Sequence, residues 1–290
     1  MTLSIALVTV DAARELDEDL PPLVAAFTEH DFAVETPSWD DPAIDWSRYA
    51  LTLLRSTWDY TDRLSEFLAW CERIAHLTTL CNPPALVRWN IDKRYALDLA
   101  RAGVAIIPSA FFGPGERPDF PSSDEFVVKP SVGAGSRGAR RFRANEHDAA
   151  MLHASQLQAA GFTVLVQPYL KSVDARGESA LVYFDGIFSH CICKGPLLAL
   201  DGSEVQGLFA REDISARDAA ADEIALGGRA VAAIPGGAPL YARVDLIRDD
   251  AGAPRVLELE LTEPSLFFNY APGSADRYVT ASQKRLGAGR

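Results

Sequence analysis

The residue types with the greatest chemical reach lie in two short alternating segments, Arg243-Val-Asp245 and Glu258-Leu-Glu260. Residues 241–247 place Arg243 and Asp245 on one side and Ala242, Val244 and Leu246 on the other. Residues 255–261 alternate again, with Val256, Glu258 and Glu260 opposed to Leu257, Leu259 and Leu261. Asp249-Asp250-Ala251-Gly252 between them is turn chemistry. An antiparallel hairpin in which Arg248 faces Arg255 puts Asp245 opposite Glu258 and Arg243 opposite Glu260. Like charges opposed across a ladder repel, so three carboxylates and one arginine on one face call for a partner. A hard cation with oxygen ligands, Mg²⁺ above all, shared with substrate phosphates, is one such partner. A solvated strand face with a salt-bridging arginine is the other reading of these residues alone.

A second chemical stretch precedes it. The β-branched run at residues 126–128 ends in Lys129, and a loop with Gly133, Gly135, Ser136 and Gly138 follows. Glycines let backbone N–H groups approach a phosphate chain, and a lysine neutralises its charge. No Gly-Lys-[Ser/Thr] opens a helix here, and no helix starts within the glycines, so neither a Walker loop nor a dinucleotide fingerprint is present. A glycine-rich turn folding over phosphates fits, with an unliganded flexible loop as the bland counterpart. A third stretch, Arg55-Ser-Thr-Trp58-Asp59-Tyr60, follows a strand directly. Its cation, carboxylate and two aromatics suit a small zwitterion, and ligands of parallel α/β units collect at such strand ends. An ordinary loop with an Arg–Asp pair is the alternative.

These residues need elements to hold them. Residues 3–9, 32–34 and 49–54 read as strands and residues 16–29 and 64–77 as helices, a small parallel α/β unit over about the first 85 residues. Asn82-Pro-Pro-Ala is a connector. Asp92 or Asn90 then N-caps a helix with Tyr95, Ala96, Leu99 and Ala100 on one face and Gly103 as its stop. Lys93 and Arg94 would lie in its first turn, where the macrodipole disfavours cations unless an anion faces them. Residues 106–112 read as a strand, 145–160 as a helix, and 163–170 as a strand stopped by Pro168. Asp185-Gly186 marks a hairpin whose second strand ends at Lys194. Residues 208–213 carry Arg211, and residues 215–234 read as a helix.

Composition narrows the function. A hydrophobic share of 48% with 23% charged residues is an ordinary globular mixture, and the net charge of −12 argues against polynucleotide and against an anionic membrane surface. No apolar run reaches spanning length, and the apolar run at residues 3–10 lacks the basic flank and cleavage site of a signal peptide. Cys71, Cys81, Cys191 and Cys193 read as structural thiols of a cytoplasmic protein, because no second Cys or His pair has zinc-site spacing. His30, His76, His147, His153 and His190 are scattered, which does not suit a histidine-based acid–base site.

Taken in order, Lys93, Lys129 with its glycine loop, Gln167-Pro-Tyr169-Leu170, Gly177-Glu178, Lys194, Arg243-Val-Asp245 and Glu258-Leu-Glu260 resemble the motif series of the ATP-grasp superfamily over residues 80–270. Three stretches, Arg55-Ser-Thr-Trp-Asp-Tyr60, Arg88-Trp-Asn-Ile-Asp-Lys93 and Leu257-Glu-Leu-Glu-Leu-Thr-Glu-Pro-Ser-Leu266, are similar to the branch that holds the O-ureido-D-serine cyclo-ligase of the D-cycloserine pathway.

The resemblance implies a mixed α/β and α+β ATP-grasp fold. It would consist of a pre-ATP-grasp α/β domain at residues 1–85 and two α+β subdomains, 86–165 and 166–290, gripping ATP. It implies that Lys93 and Lys129 contact the nucleotide phosphates under a flap of Gly133, Gly135, Ser136 and Gly138. Gln167, Tyr169 and Leu170 would bind adenine, Glu178 the ribose, and Asp245, Glu258 and Glu260 one or two Mg²⁺. Arg243 and Lys194 would be the catalytic cations. Arg55, Trp58, Asp59, Tyr60, Arg211 and Ser265 would meet a small amino-acid-like substrate, and a homodimer is the implied assembly. Many relatives have Glu-x-Asn where this chain has Glu258-Leu-Glu260, so its metal face is more negative, and residues 172–176 lengthen the approach to Glu178. The implied reaction is activation of a carboxylate as an acyl phosphate and its capture by a nitrogen of the same molecule. Intermolecular ligation and a non-catalytic ATP-binding regulator are the alternatives.

Overall fold

The first apolar run folds as the strand β1 (Ser4–Thr9) at the centre of a parallel sheet completed by β2 (Ala33–Glu35), β3 (Leu51–Ser56) and β4 (Thr79–Cys81), in the order β2-β1-β3-β4. The helices α1 (Leu20–Glu29) and α2 (Leu64–Ala75) return the chain between strands. β1 and β3 are buried almost throughout, as parallel strands covered on both faces must be. The computed structural model describes residues 2–198, 200 and 213–288.

The connector departs from expectation. It forms two helices, α3 (Pro84–Ile91) and α4 (Tyr95–Arg101), separated by an extended Asp92. The backbone of Asp92 bridges Val132, and Lys93 N–H donates to the Ser131 carbonyl at 2.8 Å. These long-range bonds outcompete a continuous helix, so Lys93 sits before α4 and not in its first turn.

The second sheet is antiparallel and carries the glycine loop. Its strands are β5 (Ala110–Phe112), β6 (Glu125–Pro130), β7 (Arg140–Arg143) and β8 (Val164–Pro168), in the order β5-β8-β6-β7. The helix α5 (His147–Ala159) covers one face, burying Ala150 and Ala154 against Phe126, Val128 and Phe142.

After the short helix α6 (Ser172–Arg176) comes a five-stranded antiparallel sheet: β9 (Glu178–Phe184), β10 (Ile187–Lys194), β11 (Ile214–Arg217), β12 (Tyr241–Arg248) and β13 (Pro254–Glu260), ordered β11-β10-β9-β12-β13. Asp185-Gly186 makes the expected tight turn, with both residues at positive φ. Residues 214–217 are strand where a helix start was expected, because β10 offers them a pairing edge. The helix α7 (Ala221–Ala232) begins later, where Glu223 accepts the Ala220 N–H at 2.9 Å. The C-terminal helix α8 (Ser274–Ala288) is not evident in the sequence pattern. It buries Tyr278 and Val279 with β1, β3 and the ends of β9 and β12 in one shared core. No described helix is long and apolar enough to cross a membrane.

Candidate active site

The charged hairpin has the expected register where it matters: Arg243 pairs with Glu260 and Asp245 with Glu258 across β12 and β13. Beyond Asp245 a bulge shifts the ladder by one, so Arg255 faces Ile247 and not Arg248. The outer edge of β13 is not left open. Asn90 donates to the Leu259 carbonyl at 2.7 Å and accepts the Leu261 N–H at 2.8 Å, and the Tyr95 hydroxyl accepts the Leu259 N–H at 2.8 Å. Helices α3 and α4, through Asn90 and Tyr95, therefore hold the carboxylate strand from the side opposite β12.

Asp245 lies at the centre of a buried charge network. Both its oxygens bind Arg243, at 2.9 Å from Nε and Nη2, and Lys194 Nζ adds a contact at 2.7 Å. Burial pushes this carboxyl up, but the two cations outweigh it and hold it at about 2. Lys194 also meets Glu178 at 3.0 Å, and Arg243 reaches Glu260 and, at 3.1 Å, the Ser265 carbonyl. Glu178 begins its strand only because Gly177, at φ +68°, leaves room: a Cβ there would overlap the Lys194 carbonyl oxygen.

The two lysines and the glycine loop converge on the same cleft. Lys93 Nζ lies 2.9 Å from Glu258 and donates to the Gly133 carbonyl at 2.6 Å, tying the connector to the glycine loop. Burial lowers its pKa, but Glu258 more than offsets this, so Lys93 is held protonated. Lys129 lines the cleft without an ion pair among the described residues, and withdrawal from water lowers its pKa. Gly135, Ser136 and Gly138 all have positive φ, so the loop turns sharply above these lysines. Its Arg137 reaches across to Thr61 and, at 3.1 Å, to Asp62.

An apolar slot continues the cleft. Gln167, Tyr169 and Leu170 line it as expected, together with Ile107, Val127, Val173, Ile247 and Leu257. Each of the latter is an ordinary apolar residue in its own segment, so no local signal marks it. The Gln167 amide is engaged with Ser109 at 2.8 Å, which leaves the backbone of residues 167–170 as the polar part of this wall.

The stretch at residues 55–60 splits in two. Trp58 and Tyr60 line the cleft. Arg55 does not: it is fully buried, donating to the Pro264 carbonyl at 2.8 Å and facing Asp19 and the Tyr241 ring. Asp59 also turns away, accepting from Trp39 at 2.9 Å and pairing with Arg63. Both are corrected from substrate contacts to supports: Arg55 lies in the fully buried strand β3, and the 3-10 turn at Trp58–Thr61 directs Asp59 to Trp39 and Arg63. Ser265 lines the cleft, and Arg211 lies outside the described residues. Glu263, which the residue pattern does not single out, lines the cleft beside Tyr60. It lies off the period-two stripe of β13.

The donor set suits a hard divalent ion. Glu258 and Glu260 keep 24% and 27% of their side chains open to the cleft, whereas Asp245 is 2% open and already engaged. Burial pushes Glu260 up to about 7, with Asp245 and Glu258 adding repulsion that Arg243 only partly relieves, so the site is short of positive charge. Among the described residues no three acidic, imidazole or thiol groups form a ready-made cage. An ion here would take two glutamates and complete its shell with phosphate oxygens and water, as Mg²⁺ commonly does.

The same arrangement of sheets occurs in ATP-grasp ligases. The structure of the ATP-grasp ligase PsnB with its minimal precursor superposes with a TM-score of 0.63 over 97% of this chain and all of its own, at 16% identity. Residues 5–82 match the model of the N-terminal domain of D-cycloserine synthetase DcsG. Over 97% of this chain the sequence is 41% identical to the cycloserine biosynthesis protein DcsG of Streptomyces lavendulae, covering 98% of that protein. The crystal structure of D-cycloserine synthetase DcsG superposes with a TM-score of 0.91 at 40% identity, over 98% of this chain and 99% of that one. The chain belongs to the DcsG family of ATP-grasp ligases.

Proposed function

We propose that the protein is an ADP-forming cyclo-ligase that closes a small amino acid on itself, with O-ureido-D-serine as the expected kind of substrate and D-cycloserine as the kind of product. The reading draws on the likeness to D-cycloserine synthetase and is carried by one observation: Lys93, Lys129 and Arg243 converge on one cleft with Glu258 and Glu260. That is the charge pattern of phosphoryl transfer, which needs positioning and neutralisation more than acid–base groups.

In this reading the apolar slot takes adenine against the backbone of residues 167–170, and Glu178 takes the ribose. Lys93 and Lys129 neutralise the phosphates beneath the loop of Gly133, Gly135, Ser136 and Gly138. Glu258 and Glu260 would hold Mg²⁺, with Asp245 fixing Arg243 and Lys194 beside it; the ion would supply charge neutralisation at the transferring phosphoryl group. The substrate carboxylate takes the γ-phosphoryl group, giving an acyl phosphate and ADP. Arg243, held in place by Asp245, Glu260 and the Ser265 carbonyl, would stabilise the developing charge. A nitrogen of the same molecule then attacks the acyl carbon, giving up its proton as phosphate leaves; with O-ureido-D-serine the ring nitrogen still carries the carbamoyl group, which water removes as CO2 and NH3 to give D-cycloserine. Trp58, Tyr60 and Ser265 wall the substrate end and favour the folded conformer, from which ring closure gains its proximity advantage.

The test is mass spectrometry of products formed from ATP, Mg²⁺ and candidate amino acids, with ADP release followed in parallel. A product ring derived from one substrate molecule is expected; joined substrates would make it an intermolecular ligase, and no ADP with any acid would refute the ligase reading. Arg243→Ala is expected to lower kcat by roughly 100-fold or more, the scale of losing a transition-state charge contact.

A further inference from the structure

Among the described residues, the carboxylates of the cleft are matched with cations, save one. Glu178 meets Lys194, Asp245 meets Lys194 and Arg243, Glu258 meets Lys93, and Glu260 meets Arg243. Glu263 has no ion pair among the described residues, although it is only 9% exposed. Burial disfavours its ionised form, and Glu260 and Glu258 add like charge, against the Tyr60 hydroxyl and the more distant Lys93. Its backbone is anchored on each side. The Glu263 carbonyl accepts from Trp58 Nε1 at 3.2 Å, the Thr262 carbonyl from the Tyr241 hydroxyl at 2.9 Å, and the Pro264 carbonyl from Arg55 at 2.8 Å. A carboxylate fixed in a partly desolvated wall without a counter-charge is unfavourable unless a cation arrives with a ligand.

We infer that Glu263 binds the α-ammonium group of the amino-acid substrate, beside the Trp58 and Tyr60 rings. This rests on the ligase reading above and assigns the end of the substrate that does not react. An α-amino acid carries its ammonium and carboxylate groups on neighbouring carbons. A cleft that holds the reacting carboxylate at Arg243 must therefore offer an anion close by. Glu263 meets that need: Ser265, two residues on, is bonded to Arg243 through its carbonyl, and Glu260, three residues back, faces the same guanidinium. Trp58 and Tyr60 line the same cleft, and aromatic rings beside a cation add favourable electrostatics.

The experiment compares O-ureido-D-serine with the same acid lacking the α-amino group, 3-(ureidooxy)propanoic acid, by ADP release at saturating Mg²⁺. The wild-type enzyme is expected to prefer the amino acid by roughly 10- to 100-fold in kcat/KM, the scale of one charged hydrogen bond. Glu263→Gln should lose most of this preference through KM while keeping its affinity for ATP and its Mg²⁺ requirement. Glu263→Asp, which keeps the charge one methylene farther back, should retain part of it. Undiminished preference in Glu263→Gln would overturn the proposal. So would a defect rescued by added Mg²⁺, which would make Glu263 a metal ligand. A wild-type enzyme that turns over both acids equally would sink the ammonium site alone, whether or not a variant folds. No ADP from any amino acid would instead sink the ligase reading, and this proposal with it.

Discussion

Lys194 Nζ lies 2.7 Å from Asp245 Oδ2, with β9 running between their two strands and both side chains buried. Asp245 thus orients two cations, Lys194 and Arg243, more than it faces the cleft itself. Asp245→Asn leaves both with weakened partners. Removing one member of a buried ion pair typically costs about 3–5 kcal/mol. A urea midpoint lowered on that scale, together with a loss of ADP release, is expected. A variant of unchanged stability would show that the network contributes nothing to the fold.

Asn90 caps the edge of the carboxylate strand. Asn90→Ala strands the Leu259 carbonyl and the Leu261 N–H in a buried setting, at roughly 1–3 kcal/mol for each. Because Glu258 and Glu260 flank Leu259, the Mg²⁺ concentration for half-maximal ADP release should rise as well. Urea denaturation and a Mg²⁺ titration check the two effects separately. A stability loss with no change in Mg²⁺ dependence would confine Asn90 to the fold.

Arg137 joins the glycine loop to Thr61 and Asp62, just after the cleft residues Trp58 and Tyr60. The pair with Asp62 is solvent-exposed on the aspartate side, at 60%, so its worth to stability is small, about 1 kcal/mol or less. Arg137→Ala is accordingly expected to leave Tm nearly unchanged while raising KM for ATP several-fold, with Asp62→Ala acting in the same direction. Steady-state kinetics beside a thermal melt would decide. An unaltered KM in both variants would mean that this contact does not hold the loop.

His190 gives a pH dependence of definite sign. It is buried, with Nε2 at 2.7 Å from the Leu266 carbonyl, and burial lowers its pKa to about 4 against the bond to Leu266, with Arg277 lowering it further. The unfolded chain, near 6.5, binds this proton first as pH falls. Stability is therefore complete above pH 6.5 and declines between 6.5 and 4, by an amount on the order of 3 kcal/mol for the full span. His190→Gln, whose amide can still reach the Leu266 carbonyl, should lack this component. Urea midpoints of both proteins across pH 4–7 test it, and parallel curves would refute the assignment.

Much of the site was legible because its signals are local. Period-two alternation with a turn between gave the Arg243–Glu260 and Asp245–Glu258 pairs, and a lysine before a glycine cluster marked a second wall of the same cleft. Reading failed where long-range partners overrode local preference. Asp92 left its helix to bridge Val132, residues 214–217 joined the edge of β10, and Arg55 entered the core on Asp19 and Pro264.

The sequence by itself determined which charges exist and which face of a strand or loop each occupies, since side-chain period follows from backbone geometry alone. Only the tertiary structure decided which charges meet. Lys194 reaches Asp245 because their strands flank β9, Lys93 reaches Glu258 because the connector packs along β13, and Glu263 meets no cation among the described residues. Electrostatic energy depends on distance and burial, and both are set by how the sheets pack and not by order along the chain.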